Sequence, residues 1–363
     1  MKKLKIAIIS PLYESVPPEK FGAIEFVAYN LSEELVKKGH KVYLLATGNS
    51  NTSAELLPIL PQNFRQYPEN HDQKWEEKMN LLCAGRILKY LNNLEVDIVH
   101  NHCGTMIVPF IDIIKPPMIT TLHAPIGFYN KYSKVIYENF KKANYVSISN
   151  SQRNGMSDLN YIGNVYNGID LNKYEFSKEK GNYFAFLGRT SPEKGIKEAI
   201  LIAKEAGVTL KIAAKSTSDK DYFEKEIKPL IDGQQIQFLG EVGPREKSDF
   251  LKNAIALISP IQWEEPFGLV FIEAMASGKP VITFDRGSVS EIIKHGETGF
   301  IIEKDNMGAI ITAVKKIAAM PSDEYEKMSF NCRAHVQKEF TAKKMAEEYE
   351  KIYYNILKNN KTS

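Results

Sequence analysis

Short apolar runs alternate with amphipathic stretches along the whole chain. In the first half the runs are LKIAIIS, KVYLLAT, VDIVHN, PMITTLH, YVSISN and GNVYNG. Between the first two, Ile24, Val27, Leu31 and Leu35 recur at helical spacing, and Gly39 ends the pattern. The second half repeats the plan with YFAFLG, TLKIAA, IQFLGE, IALISP, PVITF and a short later GFII. Helical stretches follow most of these, among them PEKGIKEAILIAKEAG and REKSDFLKNA. Strand–helix alternation with buried β runs predicts parallel sheets covered on both faces. The expected fold class is therefore α/β, with two Rossmann-like, doubly wound parallel-sheet domains facing a central cleft.

The stretch DLNKYEFSKEKGN, residues 170–182, is polar, charged and poor in apolar periodicity, and reads as a linker. It divides the chain into domains of residues 1–172 and 173–342. A last helical pattern, TAKKMAEEYEKIYYNILKNN, has no following strand; its residues from about 343 to 360 are expected to pack back across the junction. In doubly wound sheets ligands sit beyond the carboxyl ends of the strands, so chemistry-bearing motifs should lie just after them.

Composition narrows the classes. With 363 residues the chain is long enough for two cores, and a net charge of +3 is too mild to indicate nucleic acid. Cys83, Cys103 and Cys332 are widely spaced with no C-x-x-C pair, which points to reduced thiols in a cytoplasmic protein without zinc or disulfides. The opening MKKLKIAIIS has only four consecutive apolar residues and reads as a first strand rather than a signal peptide. No apolar run is long enough to span a membrane.

Two stretches carry the candidate chemistry. In FLGRTSPEKG a strand ends at Gly188, Ser191 is placed to cap a helix and Pro192 to open it. Arg189 and Lys194 would then flank a helix N-terminus, which already favours an anion. In WEEPFGLVFIEAMASGKPV, Pro266 marks a helix start and Gly278 its stop. Glu265 lies just outside that helix and Glu273 two turns in; eight helical residues would separate them by about 12 Å. The amides of Phe267, Gly268, Leu269 and Val270 lie between. Such a span matches a nucleotide sugar, with one carboxylate on sugar hydroxyls and the other on ribose. Taken alone, Glu273 reads more readily as an ordinary helix-face residue, and Glu264 as a solvated neighbour. Trp263 reads as a stacking platform or a packed strand-end aromatic.

These motifs resemble those of family 4 glycosyltransferases of the GT-B fold. The E-x7-E motif of that family appears as EPFGLVFIEAMASGKPV, and its phosphate-binding pattern as GRTSPEKG. NGID at Asn167–Asp170, GSVSEIIKHGETG with Gly287, Glu291, Gly296 and Gly299, and GAIE at Gly22–Glu25 follow the family order. Ala23 departs from the pattern, where a second glycine is usual. The resemblance implies a retaining, metal-independent hexosyltransferase with no cofactor, using a nucleoside diphosphate sugar, UDP-glucose first among the donors. It implies that Arg189 and Lys194 neutralise the leaving diphosphate, that Glu265 holds the sugar and Glu273 the ribose, and that the Gly22–Ala23 and Gly188 loops approach the donor. His123, in TTLHAP, would face the donor sugar; His102 and Asn150 would line the acceptor side. The mechanism it implies is front-face substitution, with the acceptor proton passing to the leaving phosphate.

Other features pull elsewhere. SDKDY, Ser218–Tyr222, contains a D-x-D, which reads here as a solvated helix start rather than a metal site. NKYSKVIYENFKKANY, residues 130–145, interleaves lysines and aromatics and allows peripheral membrane contact, or a surface helix packed by its aromatic stripe. Competing functions on the same plan are a sugar-nucleotide epimerase, an α-glucan phosphorylase and a catalytically silent nucleotide-sugar binder. The acceptor is not named by any motif.

Overall fold

The computed structural model describes residues 2–67, 73–127, 131–216 and 219–359. Packing divides the chain into two compact units: Met1–Gly168 with Ala342–Ser363, and Ile169–Thr341.

The first unit is built on seven parallel strands: β1 (Lys5–Ile9), β2 (Lys41–Thr47), β3 (Glu55–Leu60), β4 (Ile98–Asn101), β5 (Met118–Thr121), β6 (Asn144–Ser147) and β7 (Tyr161–Asn164). Their order is β3-β2-β1-β4-β5-β6-β7. Central β1 is buried on both faces from Ile6 to Ile9, which is why it reads as a continuous apolar run. β3, ELLPIL, is an edge strand, the position at which a sheet tolerates a proline such as Pro58. Of GNVYNG, only Gly163 and Asn164 belong to a strand. Helices α1 (Ala23–Lys37), α2 (Gln73–Asn93) and α3 (Lys131–Asn139) complete the first stretch of the chain. Within α3, Tyr137 is buried and Val135 exposed; Asn130 lies outside the described residues.

The second unit holds β8 (Tyr183–Arg189), β9 (Leu210–Lys215), β10 (Ile236–Gly240), β11 (Ala254–Ile258), β12 (Val281–Phe284) and β13 (Gly299–Ile302) in the order β10-β9-β8-β11-β12-β13. Its helices are α4 (Ile196–Ala206), α5 (Lys220–Tyr222), α6 (Pro244–Lys252), α7 (Leu269–Ala276), α8 (Val289–Ile292), α9 (Met307–Ala319) and α10 (Ser322–Glu339). The last helix, α11 (Ala342–Asn359), belongs to the first unit and packs on α1. Its Tyr353 and Tyr349 hydroxyls reach His100 at 2.7 Å and Thr121 at 2.9 Å.

The polar stretch after Asp170 is fastened onto the second unit. The buried Lys279 amine donates to the carbonyls of Ser177 and Glu179 at 3.1 and 2.7 Å, and burial lowers its pKa to about 8. Arg333 donates to the carbonyls of Tyr174 and Ala276 at 3.1 and 2.7 Å. Local polarity hid these tertiary anchors.

In both parallel sheets the order in which the chain adds strands reverses beside the first strand, between β1 and β4 and between β8 and β11. These are the switch points where open α/β sheets bind ligands. Among the described residues, no helix is long and apolar enough to cross a membrane.

Candidate functional site

The switch point of the second unit gathers the loop after β8 and the loop after β11. Gly195 holds them together: its φ is 71°, and a Cβ there would sit 2.0 Å from the Pro260 carbonyl oxygen. Only glycine meets both conditions. The expected helix start at Pro192 is corrected by this geometry. Residues Pro192–Lys194 form a 3-10 turn, and α4 begins after left-handed Gly195. Ser191 does not cap it; its hydroxyl donates to Glu193 at 2.6 Å.

Lys194 turns back from that loop onto the motif after β11. Its amine donates to Glu265 Oε2 at 2.6 Å, and the Trp263 indole N–H donates to the same oxygen at 2.8 Å. The amine also lies 4.5 Å from the Trp263 ring centroid, within cation–π range. Trp263 is therefore a packed aromatic whose polar edge orients a carboxylate. Arg189 donates to Glu193 at 2.9 Å. Both expected cations are thus present, each already matched by a carboxylate. Gly188 is buried on β8 just before Arg189.

Glu265 is also fixed through its backbone. Its carbonyl accepts from Ser288 N–H at 2.8 Å, and a Cβ on Gly287 would lie 2.3 Å from the same oxygen. Glu264 is not merely solvated: it accepts from Gly287 N–H at 2.7 Å and from Lys304 at 2.8 Å.

The second helix start is corrected as well. Pro266 and Phe267 precede α7, which opens at Leu269 after left-handed Gly268, φ 82°. Glu273 therefore stands about one turn in, and half of the span from Glu265 is loop, so the helical rise does not set their separation. Phe267 is buried, and Leu269 and Val270 are half-buried at the helix entry. Glu273 Oε1 accepts from Tyr174 at 2.7 Å and from Lys247. Burial first, and the Glu273 charge second, push the Tyr174 hydroxyl well above its ordinary pKa, so it stays a donor. Glu193, Trp263, Tyr174 and Lys247 are the partners that sequence spacing did not assign.

The switch point of the first unit carries His102 after β4 and His123 after β5. His102 is 1% exposed, and its Nδ1 lies 2.8 Å from His123 Nε2. Burial, reinforced by neighbouring imidazoles, holds His102 well below the usual histidine range; burial alone takes His123 to about 3. Both are neutral at pH 7. Gly22 is buried against Pro18; a Cβ there would lie only 2.8 Å from that ring, so its small size is what matters. Ala23 is the first residue of α1 and exposed, in helical backbone that alanine adopts without strain. Glu25, in the same turn, is buried and raised to about 7, chiefly by desolvation. Asn150 is exposed and opens a 3-10 turn without capping it by its side chain.

Of SDKDY, Ser218 lies outside the described residues, whereas the D-x-D itself is described. Asp219 caps α5 by accepting from Tyr222 N–H at 3.0 Å, and Asp221 pairs with Lys225 at 3.2 Å. Among the described residues no group of three His, Cys, Asp or Glu side chains could hold a metal ion. The three cysteines are free thiols.

Residues 170–335 match the family model described as Glycosyl transferases group 1, and residues 24–173 match that of Glycosyltransferase Family 4. N-acetyl-alpha-D-glucosaminyl L-malate synthase of Bacillus anthracis is 25% identical over 394 residues, covering 99% of each chain. Sucrose-phosphate synthase of Thermosynechococcus elongatus superposes with a TM-score of 0.80 at 16% identity, over 98% of this chain and 100% of that one. Anabaena HepE in complex with UDP-glucose gives 0.73 at 16% identity, over 97% and 99%. These structural likenesses establish the fold, two parallel-sheet α/β domains of the GT-B type. With both parts of the chain matched by glycosyltransferase family models, the protein belongs to the GT-B glycosyltransferases of group 1 and family 4.

Proposed function

We propose that this glycosyltransferase is a retaining hexosyltransferase that takes its sugar from a nucleoside diphosphate, with UDP-glucose the first candidate donor. The observation that carries the reading is the convergence of Arg189, Lys194 and Glu265 at the β8/β11 switch point. Residues 173–342 would hold the donor and residues 1–172 the acceptor.

In this reading the diphosphate exchanges with the carboxylates that now occupy the two cations. Arg189 leaves Glu193 and Lys194 shares its charge between Glu265 and phosphate. Glu265 then accepts from sugar hydroxyls, and the free oxygen of Glu273 accepts from ribose, while Tyr174 and Lys247 hold its other oxygen. The entry of α7, from Phe267 to Val270, supplies amides to phosphate. The bond from the anomeric carbon to the diphosphate breaks as the acceptor oxygen attacks the same face. The acceptor proton passes to the departing phosphate oxygen. Such a step needs preorganised charge more than a strong base, which fits a neutral His123 near the sugar. Asn150, exposed, is an acceptor-side contact, and His102 acts through His123. In this reading no step is routed through a metal; Asp219 serves a helix cap and Asp221 a surface pair with Lys225. Three free thiols fit a reducing, cytoplasmic setting.

The donor assignment draws on HepE, crystallised with UDP-glucose and with UDP. The name of the Bacillus anthracis relative keeps an N-acetylglucosaminyl donor in view. The test is a thermal-shift screen of UDP, GDP and ADP at about 1 mM, where a ligand raises stability by RT ln(1 + [L]/Kd). Transfer assays with the matching sugars, with and without chelator, follow. A shift with UDP and chelator-insensitive sugar transfer with retained configuration are expected. No shift with any nucleotide, inversion, or loss of activity in chelator would overturn the corresponding part.

A further inference from the structure

Three imidazoles stand together at the carboxyl ends of β4 and β5. His100 is satisfied on both nitrogens, by Tyr353 at 2.7 Å and Thr121 at 2.7 Å, so it has no hydrogen bond to offer its neighbours. The His102 ring lies 4.0 Å from it, centroid to centroid, and His102 Nδ1 meets His123 Nε2 at 2.8 Å. The other nitrogen of His102, Nε2, is buried and without a partner among the described residues.

We propose that His102 is a positioning residue for His123: it donates its Nδ1–H to His123 Nε2 and thereby holds His123 in the Nδ1–H tautomer. The free edge of His123 then presents a hydrogen-bond donor and no basic lone pair. The functional half of this inference rests on the reading, given above, that His123 faces the donor sugar.

The tautomer follows from counting protons. Both rings are neutral, so each carries one N–H, and one proton lies between His102 Nδ1 and His123 Nε2. If His123 donated that proton, His102 would carry its own on Nε2, leaving a buried N–H with no acceptor. If His102 donates, its Nε2 is a bare lone pair instead. Orphaned buried N–H donors are rarer in folded proteins than under-satisfied acceptors, which favours the second arrangement. His123 is then protonated on Nδ1, the nitrogen left outside that bond, and suited to donate to a sugar oxygen. Its Nε2 lone pair is occupied, so it takes no proton from the acceptor. That agrees with a mechanism in which the leaving phosphate receives the proton.

The test uses the full chain with 15N-labelled histidine and reads each tautomer from the ring nitrogen shifts. The expected spectrum shows His123 as the Nδ1–H form between pH 6 and 8. His102→Phe removes the donor, shifts His123 toward the Nε2–H form and lowers kcat by about 10-fold or more. His102→Asn, whose amide donates from nearly the same place, keeps the tautomer and stays within about 3-fold of the wild-type kcat; it also guards against a variant that fails to fold. An Nε2–H His123 in the wild type, or a tautomer indifferent to His102→Phe, overturns the proposal. His123→Ala separates the two claims. Transfer at the wild-type rate in that variant removes His123 from the sugar, whereas the wild-type spectrum decides the tautomer by itself.

Discussion

Replacing Lys194 by alanine removes the cation that Glu265 leans on. Glu265 Oε2 accepts from Lys194 at 2.6 Å and from Trp263 at 2.8 Å, with side-chain exposures of 7% for Glu265 and 22% for Lys194. Breaking a buried ion pair from one side costs about 3–5 kcal/mol, because the surviving charge stays buried. The partial exposure of Lys194 and the remaining indole bond place this case at the low end, about 3 kcal/mol. For a domain of this size that lowers Tm by about 6–12 °C. The same lysine supplies charge to the proposed leaving diphosphate, so kcat should fall by about 10²-fold or more. The double variant Lys194→Ala/Glu265→Gln separates these effects. With no charge left buried, stability should return to within about 1 kcal/mol of wild type, while transfer stays low. Calorimetric melting and initial-rate assays on the three proteins decide it. A Lys194→Ala protein that melts and transfers like wild type, or a double variant that recovers transfer, would refute the reasoning.

Tyr174→Phe removes one of the two donors on Glu273 Oε1; donor KM should rise by about 10-fold with kcat nearly unchanged, as for a lost bond to a charged group, and an equal loss in kcat would contradict a ground-state ribose role. Gly195→Ala places a methyl 2.0 Å from the Pro260 carbonyl at a φ of 71°, so soluble expression or Tm should drop sharply, and a wild-type melting curve would show that the two loops are not so closely joined. The histidines dictate a pH dependence. His123 falls from about 6.5 to about 3 on folding, so it leaves stability unchanged above pH 6.5 and subtracts from it below, by about 2 kcal/mol at pH 5; His100 and His102 act in the same direction. Glu25, raised to about 7, opposes them, since its contribution falls as pH climbs from about 4.5 to 7. In Glu25→Gln, denaturant unfolding should therefore show at least about 2 kcal/mol less stability at pH 5 than at pH 7, and a flat profile would contradict the buried neutral cluster.

The apolar runs of β1, β2, β8 and β12 were legible because strands in the middle of a parallel sheet are buried on both faces. β3 was not among the expected strands; its edge position is what tolerates Pro58. Both misplaced helix starts have one cause. Pro192 and Pro266 look like first-turn prolines, but each precedes a left-handed glycine, Gly195 or Gly268, and the helix begins only after it. Local spacing singled out Arg189, Lys194, Glu265 and Glu273 as candidates, since each lies within a compact motif. It could not assign Tyr174 or Lys247 to Glu273, from which they stand 99 and 26 residues away in sequence. Nor could it show that His102 and His123, 21 residues apart, share one proton. Those links exist only once the sheet order brings strand ends together.

The most direct test is a structure of the chain bound to UDP, or to whichever nucleoside diphosphate stabilises it most. The account predicts the pyrophosphate on the Arg189 guanidinium and the Lys194 amine, with the ribose hydroxyls on Glu273. A nucleotide bound away from those three side chains, with Lys194 and Arg189 still closed on Glu265 and Glu193, would contradict it.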